Sequence, residues 1–160
     1  MSCDIFALAS GLVELAVRRE ATFSFAESCT GGLVGASVTD VPGASEVFLG
    51  SAVTYCNQAK HNILGVSADV LAVHGAVSGE CAAMMAAGAR RIYGADMAVG
   101  VTGIAGPDGG SDEKPVGTVW FGFDAASKNI AFTRRFSGTR QEIREASVRE
   151  VLAFLTGELS

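Results

Sequence analysis

Two hydrophobic rhythms take turns along this chain of 160 residues, and their alternation restricts the fold more than any single motif does. Ile5, Leu8, Leu12 and Leu15 recur at 3-4-3 spacing and end in Arg18, Arg19 and Glu20, which predicts an amphipathic opening helix with Asp4 as its N-cap. Residues 22–26 then alternate polar and apolar like a short strand, 27–32 interrupt, and a second helical stretch covers 33–39. Residues 42–45 read as a turn, 47–56 as an extended apolar segment, and 58–64 and 68–73 as short helices. An Ala- and Met-rich helix is predicted over 78–93 with Ser78 as its cap, followed by a buried-type strand over 95–101. Residues 116–123 and 130–136 read as an antiparallel hairpin, and Ile143, Val148, Val151, Leu152 and Leu155 mark a closing helix. About five strands and six helices in this order predict a single domain over 1–160. The expected class is α/β: a three-layer α/β/α fold with a mixed, largely parallel sheet and a late antiparallel hairpin.

Composition narrows the function. Apolar residues make up 49% and charged residues 18%, enough for a sizeable core. A net charge of −5 argues against a protein that neutralises nucleic-acid phosphates, so a small-molecule partner is the expectation. No apolar run approaches the roughly 18 residues of a membrane span, and Met1-Ser2-Cys3-Asp4 lacks the basic and apolar regions of a signal peptide. A cytoplasmic chain with no membrane or nucleic-acid partner is expected. Cys3, Cys29, Cys56 and Cys81 form no C-x-x-C and read as free thiols in a reducing compartment. His61 and His74, the only histidines, sit at no metal-ligand spacing, so neither a metal nor any other cofactor is expected.

Chemistry concentrates in three places. Ser28 falls where a predicted strand gives way to a helix, the position at which open α/β sheets hold their ligands. Thr30, Gly31 and Gly32 follow, so amides with little side-chain cover are available to an anion or oxyanion beside a nucleophilic serine, with the amides of Thr102 and Gly103 as the alternative. The plainer alternative makes Ser28 and Thr30 helix caps. Glu27 is either a ligand contact or a first-turn charge. Lys60 is the only Lys or Arg between residues 20 and 89, and burial there would turn it toward a neutral base for Ser28, with Tyr55 relaying or orienting. A solvated Lys60 and a core Tyr55 are the bland counterpart. The glycine-dense segment 102–110 has the look of a substrate-cradling loop, with Thr102, Gly103, Ala105 and Gly106 as contacts, yet it matches neither the Walker nor the dinucleotide-binding pattern. Ser111 and Lys114 formally fit S-x-x-K, but the companion K-T-G is absent. Residues 128–149 carry a net charge of about +4, and Arg140 and Arg144 in that window are i,i+4 neighbours suited to clamp a phosphate or to form a solvated helix face.

Read together, the blocks become recognisable. Ala26-Glu27-Ser28-Cys29-Thr30-Gly31-Gly32, the Val41–Ser45 turn with Phe48-Leu49-Gly50, Val53-Thr54-Tyr55 with Lys60, Gly75-Ala76-Val77-Ser78, and residues 101–110 with Lys114–Thr118 closely resemble the CinA carboxy-terminal-domain family, in order and over nearly the whole chain. The likeness is to the stand-alone form, without an amino-terminal molybdopterin-binding-like domain. It implies nicotinamide-nucleotide amidohydrolase activity in pyridine-nucleotide salvage: nicotinamide mononucleotide and water give nicotinate mononucleotide and ammonia. The same resemblance implies a serine nucleophile helped by lysine and tyrosine without a metal, roles that fall on Ser28, Lys60 and Tyr55. Ser51 departs from the second glycine that many relatives carry after Gly50, and Cys29 is a rival nucleophile beside Ser28. A non-catalytic nucleotide-binding module of a competence or DNA-damage system is the alternative from a different class. A homo-oligomer is expected, with Arg140 as the candidate phosphate contact.

Overall fold

The computed structural model describes residues 3–160 and places a five-stranded sheet between two helical layers. Helix α1 (Cys3–Arg19) leads into β1 (Phe23–Glu27), α2 (Leu33–Thr39), a 3-10 turn (Ala44–Glu46) and β2 (Phe48–Val53). Helices α3 (Asn57–Leu64), α4 (Ala68–Val73) and α5 (Gly79–Tyr93) carry the chain to β3 (Met97–Gly103). Strands β4 (Thr118–Ala125) and β5 (Lys128–Arg135) and helix α6 (Arg140–Leu159) complete it. Among the described residues no helix is long and apolar enough to cross a membrane.

The caps follow from side-chain chemistry. Ser78 accepts from the Cys81 N–H at the start of α5, as its position predicts, and Thr139 and Glu142 form a reciprocal capping box on α6. Asp4 does not cap α1: the helix already includes Cys3, so Asp4 lies in its first turn, where its carboxylate pairs with Arg149.

Strand order is β2-β1-β3-β4-β5, with β1 parallel to both β2 and β3, and the β3–β4 and β4–β5 pairings antiparallel. The expected hairpin is β4–β5. Antiparallel pairing starts one strand earlier because residues 104–117 double back beside β3 without a crossover helix. From β1 the chain crosses to β2 on one side and later to β3 on the other. The carboxyl ends of β1 and β3 therefore flank the switch point where open sheets open a crevice.

The core lies on both faces of the sheet. Phe23, Phe25, Val99, Val101, Phe121 and Phe123 pack under α1, α2 and α6, while Ala26 and Ala98 meet Cys81, Met85 and Ala89 of α5 on the opposite face. Cross-strand partners Gly100 and Gly122 let the α5 backbone settle directly on the sheet. A Cβ on Gly100 would stand 2.6 Å from the Ala82 carbonyl oxygen and 2.8 Å from the Ala86 nitrogen. Gly100→Ala is therefore expected to cost about 1–3 kcal/mol through overpacking, read as a lower urea midpoint at unchanged slope.

Candidate active site

Ser28 follows the last residue of β1, and its N–H donates to the Val101 carbonyl of β3 at 2.9 Å, so the serine is tied across the crevice between the two strands. Lys60 comes from the first turn of α3, where its N–H donates to the Cys56 carbonyl at 3.1 Å, and its side chain runs inward until the residue is only 1% exposed. Its ammonium nitrogen lies 2.9 Å from Ser28 Oγ, 2.8 Å from the Thr54 carbonyl oxygen and 3.2 Å from that of Tyr55. All three partners are neutral, and burial pulls the lysine below its ordinary value; the thiols of Cys81, Cys29 and Cys56 oppose that shift.

The protonated ammonium donates to all three, and it is the loss of one proton that makes the lysine a base. A neutral amine has two N–H donors and one lone pair. Carbonyl oxygens only accept, so once the amine is neutral the Thr54 and Tyr55 carbonyls take both donors and the Ser28 hydroxyl, until then an acceptor, donates to the lone pair. Cys29 answers differently: it is 6% exposed, and burial pushes its thiol up to about 11, where it stays protonated at neutral pH.

The pocket above this pair encloses about 210 Å³ and is walled by Ala76, Val77, Thr102, Gly103 and Ala105. Thr102 is fixed there by donating to the Ala76 carbonyl at 2.8 Å. Arg140, from the first turn of α6, reaches the rim and donates to the Gly106 carbonyl at 2.8 Å and to the Tyr55 hydroxyl at 2.9 Å. Tyr55 is 60% exposed. Its carbonyl, not its hydroxyl, meets Lys60, so the side chain belongs to the rim and not to a proton relay through the lysine.

Ser28, Lys60, Tyr55, Thr102, Gly103, Ala105 and Arg140 thus line one pocket, with Gly106 anchoring Arg140. Glu27, Thr30, Gly31 and Gly32 lie behind the site. Glu27 is fully buried and accepts from the N–H groups of Gly32, Val34 and Gly35 and from the Ser51 hydroxyl, which bolts the start of α2 to β1 and β2. With four donors on its two oxygens it is neither a ligand contact nor a solvated first-turn charge. Gly31 donates to the Ser28 carbonyl, so the amides expected at an oxyanion from Gly31 and Gly32 are both occupied. Arg144 does not join Arg140 in a clamp, because it donates to the carbonyls of Cys29 and Thr30 at 3.1 and 2.9 Å. Sequence reasoning missed that anchor; the i,i+4 spacing to Arg140 was its only trace. His61 contacts the Val66 carbonyl and His74 stands 3.5 Å from Glu80, both outside the pocket.

Fold and site define an α/β/α domain with a buried serine–lysine pair at the carboxyl edge of its sheet. Residues 6–159 match the model of the CinA C-terminal domain, and the chain belongs to that family. It is 52% identical over 120 residues, 74% of this chain and 73% of the relative, to a protein from Enterobacter agglomerans named nicotinamide-nucleotide amidohydrolase PncC. A CinA-like protein of Geobacter sulfurreducens is 48% identical over 138 residues, 86% of this chain. The chain spans about a third of the length of such CinA-like relatives. Among solved structures, the competence/damage inducible protein CihA from Agrobacterium tumefaciens superposes with a TM-score of 0.95 at 42% identity, covering 98% of this chain and 96% of that one.

Proposed function

We propose that this chain is an amidohydrolase that converts nicotinamide mononucleotide and water to nicotinate mononucleotide and ammonia. The observation that carries the reading is the 2.9 Å contact between Ser28 Oγ and a buried Lys60 whose other partners are carbonyls. The PncC relative supports the substrate class. Lys60 takes the hydroxyl proton as Ser28 Oγ bonds to the carboxamide carbon. The tetrahedral adduct collapses, the C–N bond breaks, and the lysine ammonium returns the proton to the departing ammonia. Water, deprotonated by the same amine, then attacks the acyl-enzyme, the C–Oγ bond breaks, and the carboxylate product leaves with Ser28 restored. In this reading the pyridine carboxamide enters the pocket and the ribose phosphate stays at the rim.

There Arg140 keeps N–H donors beyond the two it spends on Gly106 and Tyr55, and a guanidinium suits a phosphate. Arg140→Ala is expected to raise KM for nicotinamide mononucleotide about 10- to 100-fold while leaving the riboside's KM unchanged, a split that ammonia-release kinetics would resolve. Ammonia release by EDTA-treated wild-type protein is the direct test of the activity. Tight nucleotide binding without release at any pH would replace the enzyme with the binding-module reading.

A further inference from the structure

We infer that the Cys29 N–H donates to the oxyanion of the tetrahedral adduct and that Arg144, 115 residues away on α6, is the positioning residue that aims it. The inference rests on the amidohydrolase reading and assigns a donor that reading leaves open. Gly31 and Gly32 are excluded, since their N–H groups go to the Ser28 carbonyl and the Glu27 carboxylate. Cys29 lines the pocket beside Ser28, and its N–H meets no acceptor among the described residues except its own thiol. The Ser28–Cys29 peptide is planar and trans, so turning its carbonyl toward the Gly31 N–H sends the Cys29 N–H the opposite way.

The peptides that flank it are held on both sides. On one side the Ser28 N–H is bonded to Val101 of β3. On the other, Arg144 lays a two-pronged guanidinium across the Cys29 and Thr30 carbonyls and over Gly31, with Nη2 3.6 Å from where a Gly31 Cβ would stand. Gly31 has φ of 62°, a left-handed conformation that glycine adopts without a Cβ penalty as the chain turns under the guanidinium. A fixed fork suits this task better than a point charge. Without it the 30–31 peptide is free to rotate, its Gly31 N–H leaves the Ser28 carbonyl, and the Cys29 N–H on that same 28–29 peptide loses its aim at the moment negative charge develops.

Arg144 also lines a cavity of about 460 Å³ between α1, α2 and α6, through which a small cation can reach the position that a truncated side chain vacates. The test is steady-state hydrolysis of nicotinamide mononucleotide by Arg144→Ala and Arg144→Lys. In Arg144→Ala, kcat is expected to fall about 100-fold with KM within about threefold of wild type, the size of losing one oxyanion donor. Guanidinium chloride below denaturing concentration should restore part of kcat, and the same addition should do nothing for Lys60→Ala. Arg144→Lys, which keeps the charge but not the fork, should lose kcat by a smaller factor and melt near the wild type. An unchanged kcat in either variant, a loss carried by KM, or a loss in folded Arg144→Ala that guanidinium does not restore would overturn the inference alone. Absence of ammonia release by the wild type would instead remove the reading beneath it.

Discussion

Lys60→Met is expected to cripple hydrolysis of nicotinamide mononucleotide while leaving the protein folded and at least as stable at neutral pH. The activity loss should reach about 10²- to 10⁴-fold, the usual worth of a positioned general base, in an ammonia-release assay. Stability moves the other way for a stated reason. Lys60 is buried among neutral partners, and its folded-state value lies below the ordinary lysine value. Between those two values the unfolded chain binds more protons than the folded one, so wild-type stability rises with pH through that window and flattens above the ordinary lysine value. Below the window the folded state bears the full cost of a buried charge. Methionine fills similar space without a charge, so the pH dependence over that window should disappear in Lys60→Met, as chemical denaturation at several pH values would reveal. In the wild type, kcat should rise with pH as the amine becomes neutral. A variant that still turns over at the wild-type rate would exclude Lys60 as the base.

Ser28→Ala should be the most damaging single change to catalysis, because without the hydroxyl no acyl-enzyme can form, whereas loss of the base leaves the nucleophile in place. The expected loss is at least about 10⁴-fold in kcat, with nucleotide binding retained to within a few-fold by calorimetry. Cys29→Ala is the paired measurement. Its thiol is held near 11 by burial, so its loss should leave kcat within about threefold of wild type and cost only packing. Mass spectrometry of a quenched reaction should find the acyl group on Ser28 in the wild type and nowhere in Ser28→Ala. The reverse pattern, with Cys29→Ala dead and Ser28→Ala active, would move the nucleophile by one residue.

Much of the fold is legible in local pattern. The switch from period 2 to period 3.6 around residues 22–39 marks β1 and α2, and Ser78 before an Ala-rich run marks the start of α5, since caps and amphipathic periods depend only on near neighbours. The direction of β4 against β3 was less visible: a loop of glycines and polar residues does not declare whether it crosses over or doubles back. Within the site, Ser28 and the 102–106 loop were accessible because strand ends in this architecture carry ligands. The fate of Glu27 was hidden, because its four donors come from a helix start 5 to 8 residues on and from Ser51 on the neighbouring strand.

By itself, then, the order of hydrophobic periods and turn residues determined a layered α/β chain with a serine at a strand end and a lone lysine 32 residues later. Whether that lysine is solvated or buried, and what it faces, only the tertiary structure decided. The same holds for the division of labour on α6, where Arg140 reaches the pocket rim and Arg144 grips the nucleophile turn although one helical turn separates them. Local sequence specifies which backbone groups a segment can satisfy for itself. A side chain's partner across 30 to 115 residues is set by the packing of whole layers, and chemistry at this site depends on those long-range partners.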